Sequence, residues 1–228
     1  GVHLYRPWSA KHFLAAVPET VKRVAVLDRT KEPGSHGEPL YMDVAASFQE
    51  AMRMVMVVGG RYGLGSKDLT PRMVAAVFKN LRDPKPIRSF TVGITDDVTH
   101  QSLSLGREIS TVAEDIKECM FWGLGSDGTV GANKNAVKII GENSELNAQA
   151  YFAYDAKKSG GLTISHLRFG RSPITASYEI TSADYIGCHN PGYVHKYPIL
   201  DPLKQGATFV MNTPLVGDAL EAELPDRK

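Results

Sequence analysis

Cysteine is scarce: the 228 residues hold two, Cys119 and Cys188. Two thiols cannot build a disulfide framework and suit a reducing compartment, so a cytoplasmic protein is expected. No apolar run approaches the roughly 18 residues of a membrane-spanning helix, and no signal-peptide pattern opens the chain. No membrane partner is therefore expected. Neither sign of charge dominates: 26 Lys and Arg face 25 Asp and Glu, for a net charge of +1, and no basic run exceeds two residues. That is not the footprint of a nucleic-acid binder. A catalytic set is missing too. No Ser or Cys nucleophile can be matched with a histidine and an acid, and no spacing of His, Cys, Asp or Glu suits a metal.

What is present describes an ordinary globular protein, 43% hydrophobic and 22% charged, long enough for one large or two small domains. Apolar strands alternate with helical patterns. Val2 to Arg6 reads as a strand ended by Pro7, and Ser9 as the N-cap of a short helix through Phe13 and Val17. Val24 to Leu27 and Met54 to Val58 are continuous apolar runs of the kind buried parallel strands show. A helix over Tyr41 to Met52 separates them. The loop GGRYGLGSKD carries four glycines and leads to Thr70-Pro71, an N-cap with proline at the first helical position, opening a helix to about Leu81. Phe90 to Ile94 closes this half. Residues 95–116 turn polar and read as a linker or crossing loop. In the second half, strands are expected over Ala148 to Tyr154, Leu162 to Phe169, Ile174 to Ile180, Tyr185 to Cys188 and Thr208 to Met211, with a short helix near Tyr197 to Leu203. The pattern predicts an α/β protein of two Rossmann-like lobes with mostly parallel sheets. Gly1 opening directly onto apolar sequence, and an ending without a clear closing element, are expected of a piece of a longer polypeptide.

The most informative stretch runs from Glu118 to Ile140. An apolar strand, Cys119 to Trp122, meets Gly123, Gly125 and Gly128 in G-x-G-x-x-G spacing, and a helical pattern follows from Val130. The first glycine permits the tight turn, the second lets a pyrophosphate approach the backbone, and the third lets helix and strand pack closely. The helix N-terminus then offers free N–H groups to an anion. The competing reading is a glycine turn kept only for packing. Asp127, inside the turn, would repel a pyrophosphate; it is expected to accept bonds from a ribose, an adenine amine or nearby backbone, or to cap the helix. Ala156 to Tyr178 contains no acid but does contain Lys157, Lys158, Arg168 and Arg171. Lys157 and Lys158, on a turn with Gly160 and Gly161, suit a ligand with several phosphates, or else form a solvated basic loop. His189-Asn190 follows a strand, where α/β folds place ligand-binding side chains. His166, on an alternating strand, is expected to be packed or exposed rather than a ligand.

Several longer runs carry a specific resemblance: RTKEPG…EPLY at 29–41, GGRYGLGSK at 59–67, FTVGI-DDVT at 90–99, FWGLGSDGTVGANK at 121–134, KIIGEN at 138–143, YDAKKSGGLTISHLRFG at 154–170 and CHNP at 188–191. Together they resemble the pyruvate:ferredoxin (flavodoxin) oxidoreductase family, including its fused pyruvate:NADP+ forms, over nearly the whole chain. The resemblance implies a multidomain enzyme using thiamine diphosphate to decarboxylate pyruvate, 4Fe-4S clusters to carry electrons out, and coenzyme A to accept the acetyl group. It implies that residues 1–97 are the C-terminal part of a transketolase C-terminal-like domain, 98–115 a linker, and 116–228 a gamma-type, coenzyme A-linked domain incomplete at its C-terminus. Gly123, Gly125, Asp127, Gly128, Lys157 and Lys158 are the coenzyme A contacts it implies here. Thiamine diphosphate and clusters would lie in the full-length enzyme only. Implied partners are the other domains of the polypeptide, a second copy in a homodimer, and ferredoxin, flavodoxin or a fused reductase as electron acceptor. The part alone is expected to be inactive. The residues by themselves also leave open a nicotinamide-dependent dehydrogenase, or a structural spacer without ligand.

Overall fold

The computed structural model describes residues 1–154 and 160–225. The chain divides into two compact units, residues 1–110 and 111–228.

In the first unit, α1 (Ala10–Ala16), β1 (Arg23–Asp28), α2 (Pro39–Glu50), β2 (Met56–Arg61), α3 (Pro71–Arg82) and β3 (Ser89–Thr91) follow one another. The strands pair in parallel, in the order β1-β2-β3. Ser9 caps α1 by accepting from the His12 N–H, and Pro39 and Pro71 open α2 and α3, where a missing N–H is harmless. Strand residues alternate between two cores. Val58, Phe90 and Val92 pack with Met73 and Val77 of α3, while Val26 packs with Val44 and Phe48 of α2 and with Trp8 and Phe13. Val2 to Arg6 is not a strand. It is tied by side chains instead: Tyr5 Oη and Arg6 Nη1 both donate to Asp43 Oδ2, at 2.8 and 2.7 Å. Part of the polar span after Ile94 stays with this unit, since Ser102 bridges to Thr91 and Leu103 and Leu105 pack on the α3 core.

The second unit contains β4 (Lys117–Leu124), α4 (Thr129–Asn143), β5 (Asn147–Tyr154), β6 (Leu162–Gly170), β7 (Ala183–Cys188), β8 (Leu203–Met211) and α5 (Asp218–Glu223). Its strand order is β5-β6-β4-β7-β8. Here the sheet is mixed. The β4–β7 and β7–β8 pairs are parallel, but β6 runs antiparallel to both β4 and β5. So β4, α4 and β5 form a parallel crossover that skips one strand, and the hairpin strand β6 fills the gap. Ile174 to Ile180 is not a strand. Its backbone is satisfied by side chains instead: Gln149 donates to Ala176 O, Arg168 to Tyr178 O, and the Ile180 N–H to His166 Nδ1. The helix expected near Tyr197 is absent as well. Pro198 and Pro202 interrupt that stretch, and a single 3₁₀ turn forms earlier, at Pro191–Tyr193, capped by Asn190. Among the described residues no helix is long and apolar enough to cross a membrane.

Candidate functional site

The carboxyl end of β4 delivers Gly123 and Leu124 into a turn that hands over to α4. Gly128 is the N-cap residue with φ of +90°, and Ser126 is also left-handed at +73°. Intrahelical bonding starts at the Ala132 N–H, which donates to Gly128 O at 2.9 Å. The N–H groups of Val130 and Gly131, in the first helical turn, therefore have no acceptor within the helix. They carry the positive end of its dipole.

Asp127 closes this turn from inside. Its carboxylate accepts from the Leu124 N–H and the Thr129 N–H, both at 2.8 Å. Of the alternatives the sequence left open, the carboxylate takes nearby backbone, and Gly128, not Asp127, is the N-cap. Partial burial raises its affinity for a proton, but the bonds from Thr129 and Leu124 outweigh this and hold the carboxyl below its ordinary value of 3.8. The sign follows from linkage. A depressed carboxyl stabilises the fold fully above its unfolded value, and that contribution is lost as pH falls through the folded one. Asp127→Asn should thus flatten the loss of stability of the second unit below about pH 4, measured as unfolding midpoint against pH.

Three further strands or turns converge on the same spot. The Gly125 N–H donates to Gly161 O at 2.8 Å, and Thr163 Oγ1 donates to Gly123 O at 3.1 Å, fixing the start of β6 beside the turn. Thr129, buried at the head of α4, shares a 2.6 Å hydrogen bond with His189 Nδ1. His189 arrives there because β7 pairs in parallel with β4, Cys188 opposite Trp122, and because its own N–H donates to Trp122 O at 2.9 Å. Asn133, one turn further along α4, is buried and donates to Thr129 O. Sequence reasoning missed Thr129 entirely. The signal was there in principle: a hydroxyl directly after the third glycine, level with a histidine that follows a parallel neighbour strand. Gly123, Gly125, Asp127 and Gly128 are thus brought together, whereas Lys157 and Lys158 lie outside the described residues.

The first unit shows the contrast. At its corresponding helix N-terminus, Asp28 at the end of β1 accepts from the Leu40 and Tyr41 N–H groups at 3.0 and 3.1 Å. A fixed carboxylate already occupies that helix end, leaving no place for an anionic ligand. Among the described residues, no carboxylate occupies the Val130 and Gly131 N–H groups in this way.

Neither cysteine is poised for chemistry. Cys119 and Cys188 are buried, and burial, reinforced by Asp184 and Glu118, pushes the Cys119 thiol up to about 11. Among the described residues no group of three or more His, Cys, Asp or Glu could hold a metal ion. His166 is buried, with Nδ1 accepting from Ile180.

A sheet whose inner strand feeds a glycine turn into a helix N-terminus defines an α/β protein of Rossmann-like build. Comparison with known proteins narrows this. Residues 118–228 match the family described as "Pyruvate ferredoxin/flavodoxin oxidoreductase". The chain is 56% identical over 224 residues to pyruvate:ferredoxin oxidoreductase of Moorella thermoacetica, covering 98% of the chain and 19% of that protein. It is 55% identical to the mitochondrial pyruvate dehydrogenase [NADP(+)] of Euglena gracilis, covering 98% and 13%. It is 54% identical to the pyruvate-flavodoxin oxidoreductase of Klebsiella pneumoniae, covering 99% and 19%. Among solved structures, pyruvate oxidoreductase subunit PORC of Thermotoga maritima aligns with a TM-score of 0.41 and 16% identity, over 49% of this chain and 57% of that one. The chain belongs to the pyruvate:ferredoxin/flavodoxin oxidoreductase family. It spans about a fifth or less of the length of these curated relatives.

Proposed function

We propose that the chain is part of a pyruvate oxidoreductase that converts pyruvate and coenzyme A to acetyl-CoA and CO2 and passes the electrons to ferredoxin, flavodoxin or NADP+. Within it, the second unit holds coenzyme A. The observation that carries this reading is the glycine turn before α4, on a chain 54–56% identical to three pyruvate oxidoreductases. Coenzyme A brings a pyrophosphate and a ribose phosphate. The N–H groups of Val130 and Gly131 supply donors for one of them, and Gly125 and Gly128 keep side chains out of its way. Asp127 acts through the backbone it ties, not by touching the anion. Thr129 and His189 fix the head of α4, and the Lys157–Lys158 pair adds positive charge. When bound, coenzyme A supplies the thiol that accepts the acetyl group. The iron–sulfur clusters belong to other parts of the polypeptide, because a cubane cluster needs four thiolates and this chain has two cysteines; thiamine diphosphate is assigned to other parts of it as well. The first unit serves as a transketolase C-terminal-like partner domain, and the whole enzyme as a homodimer.

The test is calorimetric titration of the full-length enzyme with coenzyme A and dephospho-coenzyme A. Changing both Lys157 and Lys158 to alanine should weaken coenzyme A binding by tenfold or more, at roughly 1.5–3 kcal/mol per charge-assisted bond. Added salt should weaken the parent more than the double variant. Dephospho-coenzyme A should bind the parent worse if the lysines face the ribose phosphate, and should lose little if they face the pyrophosphate. Equal coenzyme A affinity of parent and double variant would return the lysine pair to solvent.

A further inference from the structure

A second feature stands apart from the glycine turn, in the first unit. Between α2 and β2 lies an open groove of about 290 Å³ lined by Ala45, Phe48, Gln49, Arg53, Met54, Val55 and Val57. Its surroundings are unusually apolar for a surface. Met54 is 92% exposed and Met52, two residues earlier, 89%. Met42 lies one helical turn before Ala45 on the same side of α2 and is also exposed. Three of the seven methionines of the chain therefore stand in or beside one groove. Methionine is the side chain that adapts best to irregular apolar surfaces and recurs where proteins dock.

The sheet itself points the same way. Strands of a parallel sheet need cover on both faces. On one face, α3 buries Val58 and Phe90 completely. On the other, α2 buries Val26 of β1, while Val55 and Val57 stay half-buried and Ser89 of β3 exposed. Trp8, Phe13, Leu14 and Val17 add to the cover that α2 gives this face, yet Val55 and Val57 remain half-buried beside the groove.

The end of α2 supplies an independent sign. The Arg53 N–H donates to Phe48 O at 2.9 Å and the Met52 N–H to Gln49 O at 3.0 Å, the paired bonds of a Schellman motif. Met52 occupies its left-handed position, with φ of +53°, where glycine or asparagine is the rule. A large apolar residue is thus held in a strained conformation with its side chain almost wholly in solvent.

We propose that this groove seats an amphipathic helix from the part of the same longer polypeptide outside residues 1–228. That helix would lie beside α2, cover Val55 and Val57, and pack leucine-, isoleucine- or phenylalanine-sized side chains against Met42, Met52 and Met54. The relatives' length supplies the candidate: roughly four-fifths or more of each relative lies outside the stretch this chain aligns with. Arg53 is not a charged obstacle at the rim, because it is already engaged, donating to Val17 O and Pro18 O and lying 5.3 Å from the Phe48 ring.

Two measurements on the full-length enzyme test this. Under mild peroxide, Met52 and Met54 should oxidise about as slowly as the buried Met73 and Met120, and at least an order of magnitude slower than free methionine. Oxidation of Met52 and Met54 at the free rate, with Met73 and Met120 protected, would overturn the proposal. A photoreactive methionine analogue at Met54 identifies the cover. Crosslinks to an apolar helical segment of the same polypeptide outside residues 1–228 are the expected product. Crosslinks to residues 42–57 of a second copy, crosslinks only within residues 1–228, or none at all would each reject it.

Discussion

Replacing Glu118 with alanine should destabilise the second unit by about 3–5 kcal/mol, the effect of stripping the partner from a buried charge. Arg168 and Glu118 have side chains only 3% and 6% exposed, and their Nε and Oε1 atoms are 2.9 Å apart. Arg168 Nη1 donates to Gln149 Oε1 and Tyr178 O, and Nη2 finds no acceptor among the described residues. A guanidinium cannot shed its proton at any accessible pH, so losing Glu118 leaves a full positive charge buried. Lys204 offers the control. Its ammonium approaches Glu118 Oε2 at 3.6 Å and Asp184 Oδ2 at 3.0 Å, but the side chain is 35% exposed. Lys204→Ala should therefore cost no more than about 1 kcal/mol. The two tryptophans make the measurement clean, since Trp8 lies in the first unit and Trp122 in the second. Urea unfolding in a Trp8→Phe background reports on the second unit through Trp122. Equal, small losses for Glu118→Ala and Lys204→Ala would mean that the Arg168 charge reaches water.

Neither Glu118 nor its pairing with Arg168 was visible in the sequence, where Arg168 read as one member of a basic stretch. The two residues are 50 positions apart and meet only because β4 and β6 pair antiparallel with Glu118 opposite Arg168. What was legible was local. Continuous apolar runs announced β1 and β2, Ser9 announced the start of α1, and Thr70-Pro71 announced α3. The glycine spacing placed the turn between β4 and α4 correctly. Where side chains at a distance decide the outcome, local pattern failed. Ile174 to Ile180 has strand composition, yet Gln149, Arg168 and His166 take its backbone groups. Strand direction was equally hidden, because a hairpin strand inserted between β4 and β5 leaves no mark on either one's apolar pattern. Asp127 was recognised as a turn residue, but its two backbone bonds depend on a loop conformation that composition does not encode.

The glycines of that turn should differ sharply in what alanine does at each, and the differences separate folding from binding. At Gly123 an added Cβ would collide with Thr129 Oγ1, lie 2.6 Å from Thr129 Cβ and 2.8 Å from Asp127 Oδ2. Thr129 cannot withdraw, being only 2% exposed and held by His189. Overpacking of this kind costs about 1–3 kcal/mol or more, so Gly123→Ala should lose both stability and coenzyme A binding. Gly128 faces open space but sits at φ of +90°, and alanine there should cost about 1–2 kcal/mol through the backbone alone. Gly131, in the first turn of α4, has nothing within 4 Å, and alanine should gain up to about 1 kcal/mol. Gly125 is the diagnostic position. Among the described residues its added Cβ meets Gly161 O at 3.3 Å, a contact that a few tenths of an ångström relieve, and Gly161 N and Gly160 N at 3.6 and 3.9 Å, which are ordinary contacts. If a phosphate of coenzyme A approaches this backbone, Gly125→Ala should weaken binding far more than it lowers stability. Thermal unfolding and titration with coenzyme A on the full-length enzyme give the two readouts for all four variants. A Gly125→Ala variant that binds coenzyme A as the parent does would remove the turn from the site, because a ligand that tolerates a methyl group there is not lying against it.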